Sequence, residues 1–252
     1  MSSALPIISL EQVSKSFGKS GAASAYVAVD RLDLKIGRGQ LLALLGRTGC
    51  GKSTIFNMIA GLTEPTSGTV RVDGRNPFQD FDFFRGKMAI VFQGDRLLPW
   101  RTAVQNVELG LEMLDVPAAE RRERALRWLA TLGLKGHEND YPHALSGGMR
   151  QRVSIARAFA TDANILLCDE PFSALDEMTG RTLRAEFVRL VRDNGKTAVF
   201  ITHSINEALE IGDRIVVLKR PANIAIDLPL ATTTPAAEKE AIRHQIQTAL
   251  AA

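Results

Sequence analysis

The 252-residue sequence predicts an α/β fold: a largely parallel sheet interrupted by an all-helical stretch. Three observations predict it. In the second half of the chain short apolar runs alternate with segments of helical period, as in repeated strand–helix–strand units. A glycine-rich turn joins one buried apolar run to one such helical segment. From about residue 100 to 160 the apolar spacing becomes three and four, the period of helices.

The elements follow in order. Ile7–Val13 and Leu32–Ile36 alternate between apolar and polar residues, the pattern of a half-exposed sheet. Leu41–Leu45 is uniformly apolar and reads as a buried strand. Ser53–Ala60 has helical spacing and stops at Gly61, a residue type common at helix C-terminal caps. Thr69–Val72 is a short strand, and Asp73-Gly74 after it signals a hairpin. Met88–Phe92 is another buried run. Ala103–Leu114 and Ala118–Leu132 are helices separated by Pro117, which suits a helix start. Ser146–Ala160 is the next helix. Strand Ile165–Cys168, helix Thr179–Asn194, strand Ala198–Thr202, helix Ile205–Glu210 and strand Arg214–Leu218 then alternate. Pro221 opens a weaker tail, in which Ile242, Ile246 and Leu250, four apart, suggest a terminal amphipathic helix.

Composition narrows the function. Hydrophobic residues make up 45% and charged residues 23%, which excludes a disordered chain, a collagen or a coiled coil. No apolar run approaches the roughly 18–20 residues of a membrane-spanning helix. Met1–Leu10 lacks the basic and apolar regions of a secretory signal, so the chain is expected to stay in the cytosol unless a partner anchors it. A net charge of +3 is too weak to imply a nucleic-acid partner. The richest basic stretch, Arg121–Arg127, is interrupted by Glu123 and reads as a solvated helix face. Two cysteines, Cys50 and Cys168, make no disulfide framework and fit a reducing compartment.

Three motifs carry chemistry. Gly46-Arg47-Thr48-Gly49-Cys50-Gly51-Lys52-Ser53 fits G-x-x-x-x-G-K-[ST], and it lies between a buried strand and a helix, the context that confirms it. Glycines let backbone N–H groups curl around phosphate oxygens, and the helix N-terminus adds positive potential. Lys52 then reaches the β- and γ-phosphates and the Ser53 hydroxyl serves Mg²⁺, with Thr54 next on the helix. Ile165–Glu170 is an apolar strand that ends in two acids. Alone it would be a solvated strand end; beside a phosphate loop, Asp169 holds Mg²⁺ and Glu170 polarises the attacking water. Leu145–Arg152 places Ser146, Gly147 and Gly148 at a helix start, where free N–H groups make a second anion site. One nucleotide does not need two phosphate sites in one chain. Two copies packed head to tail do, each lending this loop to the other's γ-phosphate.

With those residues in view, the sequence resembles the nucleotide-binding ATPase subunit of an ABC transporter over about residues 7–220. Gly46–Ser53 matches the family's Walker A motif, Leu145–Gln151 its signature and Ile165–Glu170 its Walker B motif. Gln93 matches the Q-loop glutamine, Ser173-Ala174-Leu175-Asp176 the D-loop, and His203 the switch histidine. The resemblance implies a P-loop NTPase parallel-sheet core with an N-terminal antiparallel β subdomain and an inserted α-helical subdomain, about 96–162. It implies an ATPase domain over 1–220 and a tail over 221–252. The implied ligands are ATP and Mg²⁺, with Ser53, Gln93 and Asp169 serving the metal. Gln93 would also report to the membrane subunit, Asp176 would line a dimer interface, and His203 would bind the γ-phosphate. Phe17 matches the aromatic that stacks on adenine. Its spacing to Lys52 is longer than the family's, Gly21–Tyr26 looks like the insertion responsible, and Tyr26 is its competitor.

Some positions depart from the family pattern. Arg47 stands where Pro is frequent, at a position that only needs to turn. Cys168 replaces a larger aliphatic residue and reads as packing. Cys50 lies near Lys52 and a helix N-terminus, both of which lower a thiol pKa; redox sensitivity is one reading and an inert variable position the other. Separate membrane subunits are more typical of importers. The run Leu97-Leu98-Pro99-Trp100 after Gln93 resembles the nitrate, sulfonate and taurine importers, with Leu97, Leu98 and Trp100 as an apolar pad for a membrane-subunit helix. The resemblance therefore implies a homodimer on the cytoplasmic face of the inner membrane, with permease subunits and a periplasmic or extracellular substrate-binding protein, and no nucleic acid. The competing readings are a soluble, non-transport ABC ATPase and a P-loop kinase. The short separation of Gln93 from Ser146 disfavours DNA-repair members, and a kinase leaves Leu145–Gln151 unexplained.

Overall fold

A computed structural model describes residues 5–18, 26–231 and 234–251. The chain divides into two compact units, Met1–Phe84 with Gly195–Ala252, and Arg85–Asn194. The elements in chain order are β1 (Ile8–Phe17), β2 (Tyr26–Ile36), β3 (Leu41–Gly46), α1 (Lys52–Ile59), β4 (Ser67–Val72) and β5 (Met88–Val91). Next come α2 (Ala103–Met113), α3 (Ala118–Thr131), α4 (Gly147–Ala160), β6 (Ile165–Asp169) and α5 (Glu177–Asp193). Last are β7 (Thr197–Thr202), α6 (Ile205–Ile211), β8 (Arg214–Lys219), β9 (Asn223–Pro229) and α7 (Ala236–Ala251).

In the first unit β1 pairs antiparallel with β2 on one side and β4 on the other. Both β1 and β2 run beyond their predicted bounds, because the ladder continues past its bulges to pair Ser16 with Val27 and Phe17 with Tyr26. These distal residues are more exposed, so the apolar alternation that marks a strand in sequence fades there. The Asp73-Gly74 turn forms as expected: both residues have positive φ, 47° and 77°, and Val72 and Arg75 exchange two backbone hydrogen bonds. The hairpin stops at that single bridge, and no second strand grows from it.

The core of this unit is β3, buried along its whole length and paired parallel with β7 and β8. A strand covered on both faces reads as a continuous apolar run, which is why Leu41–Leu45 was legible. α6 and α7 pack over one face, where Ala43, Leu45, Ile215 and Val217 meet Ala208, Ile242 and Ile246. The tail after Pro221 is thus built into the first unit. Its β9 was not anticipated: it pairs antiparallel with β8 and is half-exposed throughout, so it lacks a strong apolar signature. Arg214 on β8 donates from Nε and Nη2 to the two carboxylate oxygens of Asp227 on β9, at 2.7 and 2.5 Å, and this bond holds the Arg214 guanidinium above its usual range.

The second unit pairs β5 with β6 in parallel, from Met88 with Ile165 to Val91 with Cys168. Phe159 and Phe172 both meet Phe187 edge to face, and Trp128 leans on Phe159. Side chains set the helix starts. Thr102 and Gln105 form a reciprocal capping box on α2. Asp176 accepts the Thr179 N–H at 3.0 Å, so α5 begins at Glu177, two residues before the predicted start. Among the described residues no helix is long and apolar enough to cross a membrane.

Candidate active site

The loop from β3 to α1 is built around Lys52. Lys52 is 6% exposed, and its ammonium donates to the carbonyls of Gly46 at 2.6 Å and Arg47 at 3.1 Å. The lysine is thereby folded back over its own loop rather than left in solvent. Glycine is required at Gly51, where φ is +110° and an added Cβ would lie 2.5 Å from the Ala28 carbonyl oxygen and 2.7 Å from the Ala222 Cβ. Gly49 also has positive φ, +77°, but faces open space. An added Cβ at Gly46 would meet the Cys50 sulfur at 2.6 Å. Cys50 is therefore packed under the loop, 3% exposed, which favours the inert position over a redox-sensitive thiol.

The start of α1 differs from most of its neighbours. α2, α4, α5 and α6 are capped by the side chains of Thr102, Ser146, Asp176 and Ser204, whereas α1 follows Gly51 with no side-chain cap. Its first-turn N–H groups are left for an anion. Ser53 is exposed in that turn and Thr54 is half-buried beside it; Thr48 is exposed on the loop. The loop therefore fits a nucleotide polyphosphate: a glycine cradle, an uncapped helix start and a lysine held within it.

Phe17 and Tyr26 are opposed as cross-strand partners at the end of the β1–β2 ladder. The Tyr26 hydroxyl donates to the Gly49 carbonyl at 3.1 Å, and the Arg220 guanidinium lies 5.2 Å from the centre of its ring. Phe17 is 45% exposed, with the Lys15 ammonium 5.3 Å from its ring centre. Tyr26 is thus bonded to the phosphate loop, and both rings remain partly exposed, Phe17 at 45% and Tyr26 at 38%. Residues 21–25 of the proposed insertion lie outside the described residues.

His203 follows β7, whose Thr202 pairs in register with Leu45 of β3, the residue before Gly46. The parallel ladder thus sets the exposed His203 beside the entrance to the phosphate loop.

In the second unit β6 ends at Asp169, and both Asp169 and Glu170 are half-buried. Glu170 has φ +44°, a conformation that costs a non-glycine residue about 1–2 kcal/mol. The turn is held by Ser173, whose backbone N–H and hydroxyl both donate to the Glu170 carbonyl, at 3.2 and 3.0 Å. Burial, with the charge of Asp169 beside it, pushes the Cys168 thiol well up, so Cys168 is an inert core residue. Ser146 caps α4 through the Met149 N–H at 3.3 Å, and Ser146 and Gly147 are exposed. Gly148 packs so closely that a Cβ would meet the Thr179 methyl carbon at 2.9 Å. Asp176 is exposed, and the Thr179 backbone N–H holds its carboxyl below the usual range.

Gln93 is exposed just beyond β5. The segment after it is more ordered than its composition suggests, and the reason is a residue the sequence reading passed over. Asn106, fully buried on α2, accepts the Leu98 N–H at 2.7 Å, and its amide lies 3.0–3.2 Å from the carbonyls of Leu98, Arg101 and Thr102. Arg157 donates to the carbonyls of Asp95 and Arg96, both at 2.8 Å, and Arg150 to the Asp95 carboxylate at 2.9 Å. A polar residue inside an apolar helical pattern was the available signal. The expected apolar pad is narrower than the sequence implied: Trp100 is 70% exposed, but Leu97 and Leu98 are half-buried.

The fold and these loops define a P-loop NTPase. Residues 29–173 match the family model described as ABC transporter. The chain is 42% identical over 221 residues to an uncharacterized ABC transporter ATP-binding protein, MJ0412, of Methanocaldococcus jannaschii, covering 86% of this chain and 79% of that one. It is 40% identical to the glycine betaine transport ATP-binding protein OpuAA of Bacillus subtilis, covering 88% of this chain but only 59% of the relative. Further relatives are named for trimethylamine N-oxide, nitrate, bicarbonate and aliphatic sulfonates. Among solved structures, a dimeric post-hydrolysis state of the ATP-binding cassette MJ0796, bound to ADP and Pi, shares 35% identity at a TM-score of 0.77, covering 89% of this chain and 99% of that one. The chain belongs to the ABC transporter family, as one of its ATP-binding ATPase domains.

Proposed function

We propose that this chain is the ATP-hydrolysing subunit of an importer, working as a pair of identical copies. The observation that carries the reading is the glycine cradle holding Lys52 at the uncapped start of α1. In the proposed cycle ATP stacks its base on Phe17 and lays its phosphates along Gly46, Thr48, Gly49, Cys50, Gly51, Lys52, Ser53 and Thr54. Ser53, Gln93 and Asp169 offer hydroxyl, amide and carboxylate oxygens, a hard donor set that suits Mg²⁺, whose chemistry is to neutralise phosphate charge. Glu170 orients the water for in-line attack, and His203 holds the γ-phosphate. Ser146, Gly147 and Gly148 of one copy serve the γ-phosphate of the other, and Asp176 lines the interface between copies. Phosphate release removes the charge that binds the two copies, and the pair reopens.

The proposed partners are permease subunits in the inner membrane, with this chain on their cytoplasmic face, and a substrate-binding protein outside. A small oxyanion such as nitrate, a sulfonate or taurine is the proposed cargo class. The Leu97-Leu98-Pro99-Trp100 run supports it, as do relatives named for nitrate and sulfonate import. The test is a tagged Glu170→Gln chain captured from native membranes with and without ATP, with partners identified by mass spectrometry. A co-purifying multi-span protein is expected. A ribosome or assembly factor in its place overturns the importer reading and leaves only the ATPase chemistry.

A further inference from the structure

We propose that Thr202 and Glu207 are positioning residues that set the His203 imidazole by pinning the backbone on both sides of it. The inference rests on the reading of His203 as the γ-phosphate histidine, and it assigns work to a buried carboxylate that the proposed cycle does not use.

Thr202 is the last residue of β7 and is fully buried; Glu207 lies in the first turn of α6 and is 7% exposed. The Thr202 hydroxyl donates to the Glu207 Oε2 at 2.5 Å. The same hydroxyl oxygen accepts the Ser204 N–H at 2.9 Å. Ser204 in turn caps α6 by accepting the Glu207 N–H at 3.3 Å. The three bonds close a ring that spans residues 202 to 207 and runs round the exposed His203.

The order of the bonds matters. A hydroxyl has one proton to donate and two lone pairs to accept with. The Thr202 hydroxyl spends that proton on Glu207 Oε2, which leaves the lone pairs of its oxygen for the Ser204 N–H. The peptide before His203 is fixed by the β3–β7 ladder, and the peptide after it by this side-chain bond. An exposed imidazole on a pinned backbone has fewer placements to lose when it meets a phosphate.

The experiment compares steady-state ATP hydrolysis and nucleotide affinity of the purified full chain with Thr202→Val, Thr202→Ser and His203→Ala variants and the Thr202→Val/His203→Ala double variant. Valine keeps the shape of threonine and removes the hydroxyl. Thr202→Val is expected to lower kcat about tenfold with KM and nucleotide Kd within about twofold, and Thr202→Ser to restore kcat. In the His203→Ala background, Thr202→Val is expected to cost less than about twofold more, because its effect passes through His203. A kcat for Thr202→Val within twofold of wild type overturns the inference, and so does a double variant whose losses multiply. If Thr202→Val does not fold by circular dichroism, Glu207→Gln takes its place in the same cycle, where coupled losses support the inference and multiplied losses overturn it. Full turnover by His203→Ala refutes the reading of the site itself and takes this inference with it.

Discussion

Replacing Asn106 with leucine is expected to unfasten the segment that carries Trp100. Its Oδ1 accepts one backbone N–H, and its two amide protons are spread over three carbonyls, so one proton is shared. Three effective bonds at about 1 kcal/mol each give a loss of about 3 kcal/mol, and leucine offers the part-buried carbonyls and N–H no replacement partner. At about 2–4 °C per kcal/mol for a chain of this size, the melting temperature should fall by about 6–12 °C. The chain has two tryptophans, so a Trp128→Phe background makes Trp100 the only indole emitter. In that background circular dichroism reads the melt, and Trp100 anisotropy, expected to drop, reads the loosening. A melting temperature within about 2 °C of the parent with unchanged anisotropy would refute the reasoning, because Asn106 would then be ordinary packing.

Other expectations concern the loops. Lys52→Ala should abolish nucleotide binding or hydrolysis, measured by calorimetry and phosphate release; near-normal turnover rejects the phosphate-loop assignment. Glu170→Gln should bind ATP, hydrolyse it about 100-fold more slowly and accumulate a paired form in light scattering. A variant that stays monomeric with ATP speaks against the two-copy model. Gly51→Ala should cost about 2 kcal/mol or more and weaken ATP binding, since its methyl would strike the Ala28 carbonyl at a positive φ. Gly49→Ala, with only the backbone preference to overcome, should cost about 1 kcal/mol in a denaturant titration. Equal costs at the two positions would mean that Gly51 does not pack as described.

The elements legible in sequence are those whose burial is one-sided or complete. β3, β6 and β7 are apolar along their length, and α2 and α4 repeat apolar residues every three or four positions. β9 escaped notice because it is half-exposed throughout. The far ends of β1 and β2, where Ser16 faces Val27 and Phe17 faces Tyr26, escaped because those residues are exposed or half-buried. The candidate site was legible for a different reason. A phosphate loop needs glycine, lysine and a hydroxyl at fixed offsets along one turn, so its chemistry is local and survives as a string of letters. Asn106 and Glu207 belong to no such string: Asn106 bonds backbone eight residues away and Glu207 the Thr202 hydroxyl, and the only mark in sequence is a polar residue inside an apolar helical pattern.

The sequence by itself determined the α/β class, the phosphate loop and the order of the site residues, because each rests on spacing within one strand, turn or helix. Only the tertiary structure decided that both cysteine thiols are buried, which aromatic is bonded to the phosphate loop and which residues hold the loops still. Cys50 lies under Gly46, Tyr26 is bonded to Gly49, and Thr202 is tied to Glu207 across the histidine. Each of these is set by what another stretch of chain brings against the residue. Burial and hydrogen-bond partners are properties of the packed neighbourhood, and no window of sequence contains that neighbourhood.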